Sequence, residues 1–262
     1  MALNHHRYIL RQLTDMYVAF ERHPFFRTGS IYPGELIGAF ADRLTYESNN
    51  PGQIRMLGPY ISLREHLDYT IAFYLRLIES SDWAVDDPVS SYLLYHLLLD
   101  LYPRLVGSAL LDGDNFYLRR QDDKGDHILV NDQLDIVGII DWECSKVVAK
   151  PFAFSAALLL LPNKVFDGVN RLCQVEEDFA DIFDSLGRPD MALCIRHGRV
   201  PHRIVFILDS ADRIDYCKPH LKGLYQSLGE ETWSWESWRT DALQRYRTDP
   251  GLQHLLGEKV VI

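Results

Sequence analysis

Basic residues are scarce in this 262-residue chain: 27 Lys and Arg stand against 37 Asp and Glu, a formal net charge of −10. That balance excludes sequence-independent nucleic-acid binding as the main task, because such binding needs a dense cationic surface. Cysteine is scarcer still. Cys144, Cys173, Cys194 and Cys217 form no CxxC pair and read as free thiols in a reducing compartment. Long apolar runs are also missing. The longest, Phe152 to Leu161, is broken by Ser155 and falls far short of the roughly 20 residues that span a bilayer. The N-terminal MALNHHRYILRQL has no uninterrupted apolar core, so it is not a signal peptide. The expected compartment is the cytosol, with no membrane and no nucleic-acid partner. Histidines are scattered, with no HExxH or Cys/His spacing of a zinc site. Repeats, low-complexity stretches and linkers are absent, which predicts one compact domain over residues 1–262.

What is present is mostly helical patterning. Ile9, Leu10, Leu13, Met16, Tyr17 and Phe20 share one helical face over residues 7–21, and Pro24 stops that helix. Residues 28–60, rich in Gly, Pro and Asn, read as loop with short strands around Ser30–Tyr32 and Leu36–Phe40. Ser62-Leu-Arg-Glu65 is a capping box that opens a helix to about Ser80, and Asp87-Pro88 opens another to about Leu101. Phe116–Leu118, His127–Val130 and Leu134–Ile140 are β-like runs expected to form one small sheet. Helices are expected near 151–161, 173–186, 199–213 and 236–247. At their spacing Trp235 and Trp238 share a helical face and read as core packing or a C-terminal latch. Arg196, His197, Arg199, His202 and Arg203 read as a solvated basic face paired with nearby acids. The expected fold class is α+β, mostly helical, with a small β insert.

The segment with the most chemistry is FYLRRQDDKGDHILVNDQLDIVGIIDWE, Phe116 to Glu143. An acidic loop, Asp122-Asp123-Lys124-Gly125-Asp126-His127, precedes one β-run, and Asp141 ends another. Two carboxylates at the ends of neighbouring strands can converge on a divalent cation whose other ligands are phosphate oxygens. They equally suit one carboxylate orienting a hydroxyl nucleophile while the other holds the metal. A metal-dependent hydrolase using Asp122 and Asp141 fits the same pair. Acid-rich turns also arise because Asp and Asn satisfy turn backbones, so a purely structural turn stays open from spacing alone.

The run Arg120-Gln-Asp-Asp-Lys-Gly-Asp-His127-Ile-Leu-Val followed by Gly138-Ile-Ile-Asp141-Trp142-Glu143 resembles the catalytic and metal-binding loops of the aminoglycoside phosphotransferase and choline kinase-like group, relatives of protein kinases. Pro151, Phe152, Ala153 and Phe154, and the tail Trp233-Ser-Trp235-Glu-Ser-Trp238, resemble a subgroup common in fungi. The resemblance runs from about Arg7 to the end, with the catalytic-loop and metal-loop region at about 112–145. It implies a protein kinase-like C-terminal lobe. It also implies ATP-dependent transfer of phosphate to a hydroxyl of a small molecule. Asp122 would be the catalytic base, Lys124 would offset phosphoryl charge, and Asp141 and His127 would be the metal-binding positions. The implied cofactors are Mg²⁺ and ATP.

Three departures from the family pattern qualify that activity. Arg120 stands where the family has histidine, and His127 stands at the position of an asparagine metal ligand. No glycine-rich GxGxxG turn occurs, and no lysine precedes Lys124 to grip nucleotide phosphates. The chain therefore reads as a C-lobe with the N-lobe absent, truncated or impaired, with weak Mg·ATP binding expected. The rival reading is a non-catalytic or repurposed lobe that binds a metabolite or a protein partner. A monomer is favoured, with residues 28–60 covering apolar surface near the Asp122 loop.

Overall fold

The structure, a computed structural model, describes residues 2–34, 36–41, 57–106, 115–120, 124–143 and 145–257. Helix α1 (Ala2–Glu21) starts earlier than its apolar periodicity over 7–21. Leu10, Leu13 and Tyr17 are buried, and the Tyr17 ring packs against Phe154, Phe179 and Phe183. Strands β1 (Gly29–Tyr32) and β2 (Leu36–Gly38) follow. Helix α2 (Leu63–Glu79) begins as the capping box predicts: Ser62 Oγ accepts from the Glu65 amide at 3.0 Å, and Glu65 Oε2 accepts from the Ile61 amide at 2.9 Å. Helix α3 (Pro88–Val106) is capped by Asp87, whose carboxylate accepts from the Ser90 amide at 3.0 Å. Leu93, Leu94, Tyr95 and Leu97 have no exposed surface, as expected of a helix apolar nearly all round.

The β structure is two sheets, which corrects the expected single one. Strand β3 (Phe116–Arg119) pairs with β6 (Lys146–Ala149), and the four-stranded antiparallel sheet runs β2-β1-β6-β3. Strands β4 (Ile128–Val130) and β5 (Ile136–Ile139) form a separate hairpin. The physical reason lies in burial. Phe116 and Tyr117 point to opposite faces and are both buried, so β3 needs cover on two sides. Val147 and Ala149 of β6 enter the same core as Phe116, whereas Leu129, Val130 and Val137 of the hairpin are exposed.

Helices complete the chain: α4 (Lys150–Ala153), α5 (Gln174–Ser185), α6 (Pro189–Arg196), α7 (Arg199–Leu208), α8 (Ile214–Ser227), α9 (Trp235–Arg245) and α10 (Pro250–Leu255). The helix expected over 151–161 is the short α4 followed by a 3₁₀ turn at Leu158–Leu160. The larger core joins α2, α3, α7, α8, α9 and α10 to one side of β3 and β6. The smaller joins α1, α5 and α6 around Tyr117 and Phe154. Trp235 is buried and stacks on Trp238 at 5.6 Å, which is the packing role read from their spacing. Among the described residues no helix is long and apolar enough to cross a membrane.

Candidate functional site

The β4–β5 hairpin positions the candidate acid site. Its tip is fixed by Asn131, whose Oδ1 accepts from the Gln133 and Asp135 amides at 3.0 and 2.8 Å. Helix α1 grips the same tip. Gln12 Nε2 donates to the Leu134 carbonyl at 3.0 Å, its Oε1 accepts from the Ile136 amide at 2.7 Å, and the Tyr8 hydroxyl donates to Asp135. One side-chain amide thus substitutes for a neighbouring strand. Sequence reasoning missed this contact, because nothing local marks a glutamine on an amphipathic helix as a partner for a hairpin more than a hundred residues away.

At the open end the hairpin brings His127 and Asp141 together, the Ile140 amide donating to the His127 carbonyl at 3.0 Å. His127 Nδ1 lies 3.2 Å from Asp141 Oδ2 and 3.8 Å from Asp126 Oδ1. The closer contact is within ion-pair reach, although Nδ1 is not directed for a hydrogen bond. Asp141 has φ of +58°, in the left-handed region that side-chain-bearing residues adopt at a cost. Neighbours on both sides hold it there. Buried Arg120 donates from Nη1 to the Ile140 carbonyl at 3.0 Å, and Trp142 Nε1 donates to the Ile139 carbonyl at 2.9 Å while its ring meets Phe20 edge-on. Arg120, a departure from the family pattern, thereby ties the strand before the acidic loop to the residue before Asp141. Gly125 has φ of +99°, and a Cβ there would lie 3.2 Å from Leu159 Cβ, so the loop needs glycine at this position.

Of the four predicted site residues, Asp141 and His127 converge. Lys124 is exposed at the start of the described part of the loop. Asp122 lies outside the described residues, and with it the expected shared cleft of Asp122 and Asp141. Among the described residues no group of three or more His, Cys, Asp or Glu is placed to hold a metal. Asp141, with His127 against its carboxylate, is the residue here that could take part in holding a cation.

The basic cluster is not a solvated face, which corrects that expectation. Two members behave as predicted: His197 is exposed, and Arg196 pairs with Asp181 and Asp184 at 2.9 and 2.8 Å. Arg199, His202 and Arg203 are buried. Both Arg199 terminal nitrogens donate to Glu176 at 2.6 Å in a two-pronged buried pair. Arg203 donates to Asn170 Oδ1 at 2.9 Å, to the Val165 carbonyl at 3.2 Å and to His220 Nδ1 at 3.2 Å. The helical period placed these residues on the inner face of α7, a face judged polar by composition alone.

A pocket of ≈ 200 Å³ opens between α2, β6 and α7. Leu63, Leu67 and Tyr74 of α2 and Val205 and Phe206 of α7 form apolar walls, and Phe40 and Leu57 contribute from the 28–60 segment. Residues 29–32 and 36–38 add strands beside β6 and residues 40 and 57 line this pocket, while Leu129, Val137 and Ile140 on the hairpin stay exposed. Sequence analysis offered no sign of the pocket, since its lining comes from five separate segments.

Comparison with family models, with curated proteins and with solved structures gave no match to this chain.

Proposed function

We propose that this chain is a small-molecule phosphotransferase of the aminoglycoside phosphotransferase and choline kinase-like type, built on a kinase-like C-lobe with an impaired grip on nucleotide. The observation that carries the reading is the backbone of Asp141. A left-handed turn at φ +58°, held through Arg120 and Trp142, fixes the direction of the Asp141 carboxylate beside His127. Asp122 accepts the proton of the acceptor hydroxyl, and Lys124 offsets charge on the transferred group. His127 orients the Asp141 carboxylate, against which it lies at 3.2 Å. Asp141 is the residue that would hold Mg²⁺, which when bound neutralises phosphate charge.

The test is phosphate release from Mg·ATP, with water standing in for the unidentified acceptor. The expected result is slow release that does not saturate at millimolar nucleotide and disappears in Asp141→Asn. Release that is unchanged in Asp141→Asn, or none at all, would reject phosphoryl transfer. The second reading, a binding lobe without catalysis, would then stand. It is favoured by one specific fact, the lack of any lysine before Lys124.

A further inference from the structure

We propose that the pocket between α2, β6 and α7 binds a neutral, largely apolar molecule of about one-ring size through a hydroxyl that donates to His202 Nδ1. The class of occupant is a small phenol or alcohol. This binding is separate from phosphoryl transfer, since it uses neither nucleotide nor the acid site.

Size and apolar character come from the walls. A dry cavity of about 150 Å³ accommodates benzene, so ≈ 200 Å³ admits a single ring with short substituents. Leu63 and Leu67 of α2, Val148 of β6, Phe152 of α4, and Val205 and Phe206 of α7 give the occupant apolar surface to cover. Arg119, Lys146 and Asp209 also reach the wall, but each is already engaged within the protein. Recognition by charge is therefore assigned to none of them.

The hydroxyl follows from two buried polar atoms that the protein leaves unmet. His202 is buried, and its Nε2 lies 2.8 Å from the Ala156 carbonyl, which can only accept, so Nε2 carries the proton. Burial, with Arg119, Arg199 and Arg203 nearby, pushes the pKa of the ring down, so near neutral pH Nδ1 keeps its lone pair. Among the described residues that nitrogen has no hydrogen-bond partner. The second atom is Thr70 Oγ1 on α2, also buried and without a partner among the described residues. The other threonines in described helices, Thr14 and Thr240, turn their hydroxyls back on the Leu10 and Glu236 carbonyls at 2.9 Å. Thr70 makes no such bond. His202 and Thr70 stand on different helices and line the same pocket. Buried polar atoms are normally satisfied, so an occupant that serves them completes the wall. Nδ1 can only accept, and it therefore selects a donor: a hydroxyl serves it, whereas an ether oxygen or a methyl group does not. Thr70 can donate or accept and sets no preference between a hydroxyl and an ether.

Three probes of one skeleton test the proposal by calorimetric titration into the full chain near neutral pH. They are p-cresol, which carries a hydroxyl donor, 4-methylanisole, whose ether oxygen only accepts, and p-xylene, which has neither. Being the least apolar of the three, p-cresol would rank last in a pocket that recognised apolar surface alone. The expected result is the reverse, with p-cresol binding tightest by about threefold or more, as one net hydrogen bond provides. His202→Phe should restore the order of apolarity. Because that variant also loses the bond to the Ala156 carbonyl, a second readout uses the unaltered protein. The nitrogen NMR signal of His202 Nδ1 should shift when p-cresol is added and move far less with p-xylene. Binding that follows apolarity, no binding of any probe at millimolar concentration, or an Nδ1 signal that p-cresol leaves in place would each overturn the proposal.

Discussion

Mild acid should destabilise this protein steeply, through two buried imidazoles. His202 is 5% exposed, and burial, with Arg119, Arg199 and Arg203 around it, pushes its pKa down to about 3. His220 has no exposed surface, and burial together with Arg203 pushes it down to about 4. The contact geometry agrees, since His220 Nδ1 accepts from Arg203 Nη1 at 3.2 Å and a proton there would face a guanidinium that is always charged. In the unfolded chain each imidazole returns to about 6.5. A group whose folded pKa is depressed leaves the unfolded chain holding more protons. Stability is therefore fully present above the unfolded value and is lost as pH falls from it towards the folded value. At about pH 5 each histidine costs about 2 kcal/mol and the pair about 4 kcal/mol, a large share of the 5–15 kcal/mol typical of a domain. His96, also pushed down by burial, adds in the same direction. Carboxylates contribute later: Asp190, held well below the ordinary range chiefly by Arg188, resists protonation until the solution is more acidic. Urea unfolding followed by tryptophan fluorescence at a series of pH values measures the loss. His202→Gln, which keeps a donor for the Ala156 carbonyl, should remove about half of it. A denaturation midpoint that is flat between about pH 7.5 and pH 5 would refute the reasoning, as would a slope unaltered in that variant.

Gly223→Ala in α8 should destabilise by about 2–4 kcal/mol, whereas an ordinary helix interior would gain about 1 kcal/mol. The added Cβ would fall 2.2 Å from Arg203 Nε, and that side chain cannot retreat without breaking its buried bonds; calorimetric melting reads the sign. Arg199→Met strands Glu176 as a buried carboxylate and should cost about 3–5 kcal/mol, with much of the loss recovered when Glu176→Gln is added; urea midpoints of the single and double variants test it. Asp141→Gly should leave stability unchanged or raise it by about 1 kcal/mol, because glycine adopts the left-handed backbone freely, while Asp141-dependent phosphate release is lost; a clear drop in melting temperature would show that Asp141 is not strained.

How far the fold was legible depended on how local each signal was. The capping box at Ser62–Glu65 and the Asp87-Pro88 start act within one turn, and both helices begin where those residues place them. Strands β2, β4 and β5 fell within the runs that predicted them, and β1 and β3 each exceed theirs by one residue. Strand β6 was missed because Lys-Val-Val-Ala is short and runs directly into a helix with Pro151 in its first turn, so its pattern merges with the helix that follows. Helix α8 was missed because Pro219 and Gly223 lie inside it; Gly223 is required for close passage of Arg203, a tertiary demand that local propensity cannot carry. In the candidate site, the strand–loop–strand reading paired Asp141 with Asp122, which lies outside the described residues, and the place of His127 beside Asp141 was implied only by the family resemblance. Gln12, Arg120 and the pocket did not, since each depends on which distant segments meet.

The grip of Gln12 on Leu134 and Ile136 also sets an order of events at the ribosome. Helix α1 leaves the exit tunnel before its partners, with Leu10, Leu13 and Tyr17 waiting for a hairpin and for Phe154, Phe179 and Phe183, all still to be translated. At about 5–20 residues per second, that interval is roughly ten to thirty seconds. For that time a fully amphipathic helix stands with its greasy side uncovered, next to the tunnel mouth. The nascent chain is thus a natural client for a chaperone that shields early apolar segments, and expression hosts that translate slowly lengthen the exposure.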